Sequence, residues 1–192
     1  LVRIYLWADA ELWHDEVITL GDFAIGPPDR GIAHVFRSYP VANNHILFSA
    51  VAYWWVRFTG FSLAEYLLRL PSILCGAATI VLLPVLWRRW LDRRVALLVA
   101  LTFAISPVFT AFAYQFRGYA LTMLLTLLAA AGVAEVSSGR LAKGLRLQLP
   151  AMVLLPLVMP SNVLLAFSHA LFIVLWRGSG VSALRQIGRA HV

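Results

Sequence analysis

Four long stretches of the chain carry no charged side chain, and no other feature restricts the fold as tightly. Leu70–Trp87 has 18 such residues, Val95–Phe116 has 22, Gly118–Ala134 has 17 and Leu147–Trp176 has 30. A helix that crosses hydrocarbon needs about 20 mostly apolar residues, within a range of about 17–25. The first three stretches therefore each predict one crossing. The fourth is too long for one ordinary helix. Pro156 and the break at Pro160-Ser161-Asn162 predict a hairpin of two short helices there, with one long kinked helix as the other reading. The composition agrees, since 61% of the residues are hydrophobic and only 13% charged. Ordinary soluble domains have about 45–50% and about 25%. Such a surplus excludes a disordered chain, a disulfide scaffold and a typical cytosolic enzyme. The expected class is all-α, a polytopic transmembrane helical bundle.

Net charge is +7, which in a soluble protein would suggest nucleic acid. Its distribution argues against that partner. Seven of the nine acids (Asp9, Glu11, Asp15, Glu16, Asp22, Asp29 and Glu65) precede residue 70. The later bases sit mostly in short clusters between apolar runs, which is topology signalling rather than a phosphate-binding stripe. Trp87-Arg88-Arg89-Trp90-Leu91-Asp92-Arg93-Arg94 and the group Arg140, Lys143 and Arg146 predict cytoplasmic loops. Arg177 and Arg185 return to that side if the last stretch is a hairpin. Residues 1–69 and the turn at Gln115–Tyr119 then share the outer side. The lone Cys75 has no partner in the chain and leaves the redox compartment unread.

Ile46–Phe58 is apolar and aromatic but only 13 residues long. That is short for a span, and Tyr53, Trp54 and Trp55 favour headgroup level, so a helix lying in the interface is expected. Before it, Gly26-Pro27-Pro28 and Ser38-Tyr39-Pro40 read as loop between short helices. At the far end Ile187–Val192 reads as the translation of a sequencing-adapter stretch, and the chain starts at Leu1. The expected organisation is thus one truncated membrane-embedded domain over residues 1–186. Its outer loop and interfacial helix cover 1–69, its transmembrane helices cover 70–176, and 187–192 is adapter read-through.

Few residues can carry chemistry. In Trp13-His14-Asp15-Glu16, two adjacent carboxylates beside a membrane could take a proton from a hydroxyl in a dry cleft, or could be a solvated loop pair. Asn43-Asn44-His45 precedes the interfacial helix, where helix-start amides, Asn and His suit a phosphate or sugar hydroxyl. Plain N-capping explains the Asn residues equally well. Arg69, in Leu68-Arg69-Leu70-Pro71-Ser72, and Arg117, in Gln115-Phe116-Arg117-Gly118-Tyr119, each interrupt apolar sequence. They are expected to find an anion such as a lipid phosphate or to snorkel to headgroups. His169 reads as a hydrogen bonder between helices. His14, His34, His45 and His169 lack metal-ligand spacing, and there is no Gly-rich phosphate loop.

Taken in order, these pieces resemble the membrane glycosyltransferases of the GT-C fold, nearest the protein-mannosyltransferase and aminoarabinose-transferase type with its Rgt-like bacterial members. The matching order is Leu12–Thr19, Asn43-Asn44-His45, Leu68–Ser72, the Arg88–Arg94 loop, then Ser106-Pro107 followed by Gln115–Leu121. The likeness covers residues 5–136. It implies transfer of a sugar from a polyprenyl-phosphate donor to an acceptor hydroxyl on the non-cytoplasmic face, with inversion. The acceptor would be a glycolipid, polysaccharide or protein, and the setting a bacterial inner membrane. On the same resemblance Asp15 would be the general base, and Glu16 would orient the acceptor or share that task. Arg69 and Arg117 would lie near the lipid phosphate, and Asn44 and His45 would touch the donor.

The chain departs from the family in having His45-Ile46-Leu47 where many relatives carry His-Pro-Pro. It also has no acid beside Arg117, so a divalent metal finds no support and no cofactor follows. The competing reading is a multi-span transporter or flippase-like protein. That would need polar residues near mid-membrane, and Leu70–Trp87 and Val95–Phe116 offer little beyond Thr79, Thr102 and Ser106.

Overall fold

The computed structural model describes residues 10–26, 31–38 and 44–178. Asn43, Arg185 and residues 187–192 lie outside the described residues. The chain is all-helical, with no strand among the described residues. In order, α1 is His14–Ile18, continued by a π-helical segment Thr19–Ile25. Next come α2 (Ala33–Arg37) and α3 (Ile46–Phe58). The long helix α4 is Glu65–Trp87, and α5 (Arg93–Ile105) is followed by α6 (Pro107–Tyr114). The remainder is α7 (Tyr119–Ser137), α8 (Leu141–Val158), a short 3-10 turn Pro160–Asn162 and α9 (Val163–Gly178).

Among the described residues three helices, α4, α7 and α8, are long and apolar enough to cross a membrane, and α5 with α6 makes a fourth if that bent pair is one span. Exposed Leu74, Val81 and Val85 on α4, Leu98 and Leu101 on α5 and Val153 on α8 lie on their outward faces. Apolar surface of that extent is compatible with an integral membrane protein and foreign to a soluble one.

The helix expected at Ile46–Phe58 forms with those bounds. Phe48, Ala52 and Val56, spaced four apart, make its buried stripe against Leu20, Ala24, Leu68 and Phe116. The first predicted span begins five residues early, at Glu65, so Pro71 lies inside α4 rather than at its start. Proline has no N–H for the carbonyl four residues back. Here the indole Nε1 of Trp55 donates to that carbonyl, Leu67 O, at 2.7 Å. One helix thereby repairs the backbone of its neighbour.

Val95–Phe116, expected to make one crossing, is not straight: the chain bends by 66° between α5 and α6, and the bent pair is either one broken span or a re-entrant loop. Ser106 is extended (φ −64°, ψ 122°), as a residue before proline prefers. Its hydroxyl accepts from Phe109 N at 3.3 Å, and Pro107 starts the new helix. The break expected in the last stretch is present at Met159–Asn162 and divides it into two helices. The first of these starts well before Leu147, at Leu141, and includes Pro150 and Pro156.

The tightest packing is between α7 and α8. A Cβ on Gly132 would meet Gly144 O at 2.8 Å and Gln148 Cβ at 2.7 Å, so the two backbones nearly touch. Small residues permit that approach in helical membrane bundles. Gly139, at φ 82°, ends α7 and turns the chain into α8.

Candidate functional site

The turn between α6 and α7, expected on the same side as residues 1–69, is packed against them: Ala113 to Gly118 is an unbroken buried run, covered by the segment that holds α1. A polar turn is stable in such a place only if its groups find partners, and those partners make up the site.

Glu16 supplies most of them. At the third position of α1 it reaches back to Trp13 N (Oε2, 2.9 Å), in the manner of a capping glutamate. The same carboxylate accepts from Arg69 Nη2 at 2.8 Å and Nε at 3.0 Å, and from Phe116 N at 2.5 Å. Arg69 uses further donors on Ala10 O (2.7 Å) and Glu11 O (3.1 Å) and lies over the Tyr114 ring. Both side chains are 0% exposed. All four acceptor directions of the carboxylate are taken, and the guanidinium is turned inward. The pair joins the N-terminal segment, α4 and the α6–α7 turn.

Asn44 is likewise committed. Its Nδ2 donates to Val35 O (2.8 Å) and Ser38 O (2.9 Å), and its Oδ1 accepts from Ser49 Oγ at 2.9 Å. It ties α2 to the start of α3.

Arg117 differs from Arg69. It is also buried, at 3% exposure, but poorly supplied with acceptors. Nη1 donates to Asp15 O at 3.0 Å and reaches Thr19 Oγ1 at 3.5 Å. Nη2 lies 3.1 Å from His45 Nε2. Nε has no partner. The imidazole worsens this shortage. Gly118 N donates to His45 Nδ1 at 3.0 Å, so in the neutral ring the other nitrogen, Nε2, carries the proton. It then presents N–H, not a lone pair, to Arg117. Burial first, and Arg117 second, lower the His45 pKa from 6.5 to about 4, which keeps the ring neutral.

Asp15 stands at the rim. Its side chain is 55% exposed, with Oδ2 4.0 Å from Arg117 Nη1. An exposed carboxylate thus lies 4.0 Å from a buried cation that is short of acceptors. That arrangement fits an anion and a hydroxyl side by side.

Of the residues singled out from the sequence, Asp15, Glu16, His45, Arg69 and Arg117 come together, and Asn44 lies next to them on its own contacts. Sequence reasoning passed over Thr19, Tyr114, Ser72 and Gly118. Ser72 Oγ donates to Arg117 O at 3.3 Å. A Cβ on Gly118 would strike His45 Nδ1 at 2.7 Å and Val158 Cγ1 at 2.6 Å. Ser72 and Gly118 lay within the quoted motifs and could have been marked there. Thr19, one turn after Asp15, follows from helical spacing. Among the described residues no group of three or more His, Cys, Asp or Glu side chains gathers to hold a metal ion. Comparison with protein-family models, with curated proteins and with solved structures finds no match to the chain.

Proposed function

We propose that the protein is an integral-membrane glycosyltransferase that moves a sugar from a polyprenyl-phosphate donor to an acceptor hydroxyl on the non-cytoplasmic face, with inversion. The observation that carries this reading is the exposed Asp15 carboxylate beside Arg117, a buried guanidinium with an unpartnered Nε. In the proposed step Asp15 takes the acceptor proton as the acceptor oxygen bonds to the anomeric carbon. The bond from that carbon to the phosphate oxygen breaks, and its electron pair stays on the phosphate. Arg117 faces that growing charge, the role in which a preorganised cation helps most. Glu16 and Arg69 act by position. Their polar atoms are used on each other and on backbone, so they hold the Asp15 segment against the Arg117 turn rather than meet substrate. Neutral His45 adds no second positive charge beside Arg117 and leaves the guanidinium short of an acceptor. Bacterial inner membrane is the proposed setting, and a glycolipid, polysaccharide or protein the acceptor.

The test is Asp15→Asn in the full chain, reconstituted with polyprenyl-phosphate hexoses and pentoses. Loss of a general base costs about 10²–10⁴-fold in turnover. Because the side chain is exposed, the melting temperature should not change. Unaltered turnover removes Asp15 as the base. A transport reading has one observation in its favour, the 66° break at Ser106, since discontinuous helices line substrate sites in transporters. Substrate counterflow without any glycosylated product would support it.

A further inference from the structure

The other end of α4 holds a second polar construction that the proposed transfer chemistry does not use. Glu135, near the end of α7 and 3% exposed in its side chain, is paired with Arg140 and with Lys143 Nζ (2.8 Å). Beside this pair is a cavity of about 120 Å³, lined by Val85, Leu86, Arg88, Arg89, Ala131, Glu135, Lys143 and Leu147. At about 30 Å³ per water this is room for about four waters, or for one compact polar head. One wall is apolar, from α4, α7 and α8. The other presents Arg88 and Arg89, both exposed, and neither has a carboxylate within ion-pair range among the described residues. Glu135 does not neutralise them, because both its oxygens are engaged by Arg140 and Lys143. Lys143 keeps two of its three N–H donors for another acceptor. Nearby, Trp90 Nε1 donates to Ser138 Oγ at 3.0 Å, and Trp87 and Trp90 pack edge to face. Tryptophan in that setting marks headgroup depth.

We infer that the cavity between the ends of α4, α7 and α8 binds the phosphate of an anionic phospholipid, with Arg88, Arg89 and Lys143 as its ligands. A phosphodiester satisfies the two unpaired guanidiniums. Its acyl chains leave the cavity along the exposed apolar face of α4, where Val81 and Val85 are 63% and 53% exposed. Basic pockets between membrane helices take anionic headgroups by the same combination of charge and apolar wall. A free phosphate shares the charge but has no use for that wall, which is why the lipid is the assigned occupant.

Native mass spectrometry of the full chain in detergent tests this, with phosphatidylglycerol, phosphatidylcholine of the same acyl chains, and inorganic phosphate as probes. The wild type should retain phosphatidylglycerol at least tenfold better than phosphatidylcholine. Inorganic phosphate at the same concentration should not displace it. Arg88→Ala/Arg89→Ala should lose that preference, whereas Arg93→Ala/Arg94→Ala, which changes charge equally outside the cavity, should keep it. Circular dichroism on both variants confirms that they fold. Equal phosphatidylglycerol retention by the Arg88/Arg89 variant and the wild type overturns the inference, as does full displacement by inorganic phosphate. The readout does not involve transfer, so it stands apart from the chemistry proposed at Asp15.

Discussion

The chain buries two glutamates, each against two bases or a bidentate one, at opposite ends of α4. Arg69 and Val85 are separated by about 24 Å at 1.5 Å per residue. Glu16 and Arg69 are both 0% exposed and are drawn from segments 53 residues apart. Glu135 is equally buried, but its partners Arg140 and Lys143 are 34% and 57% exposed and lie five and eight residues away. The first pair is a long-range joint with no water to replace either member. The second is a local staple across the α7–α8 turn, with one face wet. A buried ion pair is weak evidence for net stability, but removing one partner leaves the other charged and stranded. How far each survivor can reach solvent therefore ranks the two ends.

The largest effect expected is from Arg69→Met, which strands Glu16 among Trp13 N, Phe116 N and an apolar core. Loss of about 3–5 kcal/mol follows from breaking such a pair. Thermal unfolding in detergent should show it, and Glu16→Met/Arg69→Met should recover part of the loss. If Arg69→Met melts within a degree of wild type, the joint is not what holds the turn.

Next in size is a pH effect at the same end. The folded pKa of His45 is depressed from 6.5 to about 4. The unfolded chain therefore binds a proton first as pH falls, so stability is full above about pH 6.5 and declines down to about pH 4. At 1.36 kcal/mol per unit the loss approaches about 3 kcal/mol. His45→Gln should reduce the dependence of melting temperature on pH over that window. Below it in scale is Gly118→Ala. Its Cβ would strike His45 Nδ1 and Val158 Cγ1, and overpacking costs about 1–3 kcal/mol. The variant should also shift the His45 titration seen by NMR.

The comparison also explains what could be read in advance. Local patterns give local structure: the apolar, aromatic run Ile46–Phe58 delimits α3 to the residue, and Pro160-Ser161-Asn162 marks the break between α8 and α9. The bend at Ser106 escaped because counting uncharged residues is blind to the extended backbone that Pro107 imposes. Pro71 was legible as a residue, but the Trp55 indole that compensates it, twelve residues before Leu67, was not. At the candidate site, sorting charges by side was enough to bring Asp15, Glu16, His45, Arg69 and Arg117 together. It could not separate the side chain that faces outward from those that satisfy one another. Glu16 and Arg69 match what a base and a phosphate ligand require, yet three-dimensional partners 53 and 100 residues distant consume their hydrogen-bonding capacity. The opposite case is Glu135, whose partners at five and eight residues were in plain view.

The smallest effects belong to that second end, and they test whether its wet face is what makes it weak. Glu135→Gln removes the buried charge and leaves Arg140 and Lys143 free to turn to water, so about 1–2 kcal/mol is expected, the scale of a charged hydrogen bond. Lys143→Ala should do less, under about 1 kcal/mol, since Arg140 still covers the carboxylate and an exposed pair contributes little. Salt sharpens the contrast. Near 1 M the screening length falls to about 3 Å, so the difference between wild type and Lys143→Ala should vanish there. The Arg69→Met penalty should persist, because ions do not reach a pair with no exposed surface. A salt-independent Lys143 effect would mean that the ammonium is shielded, and that the two ends differ in sequence distance alone.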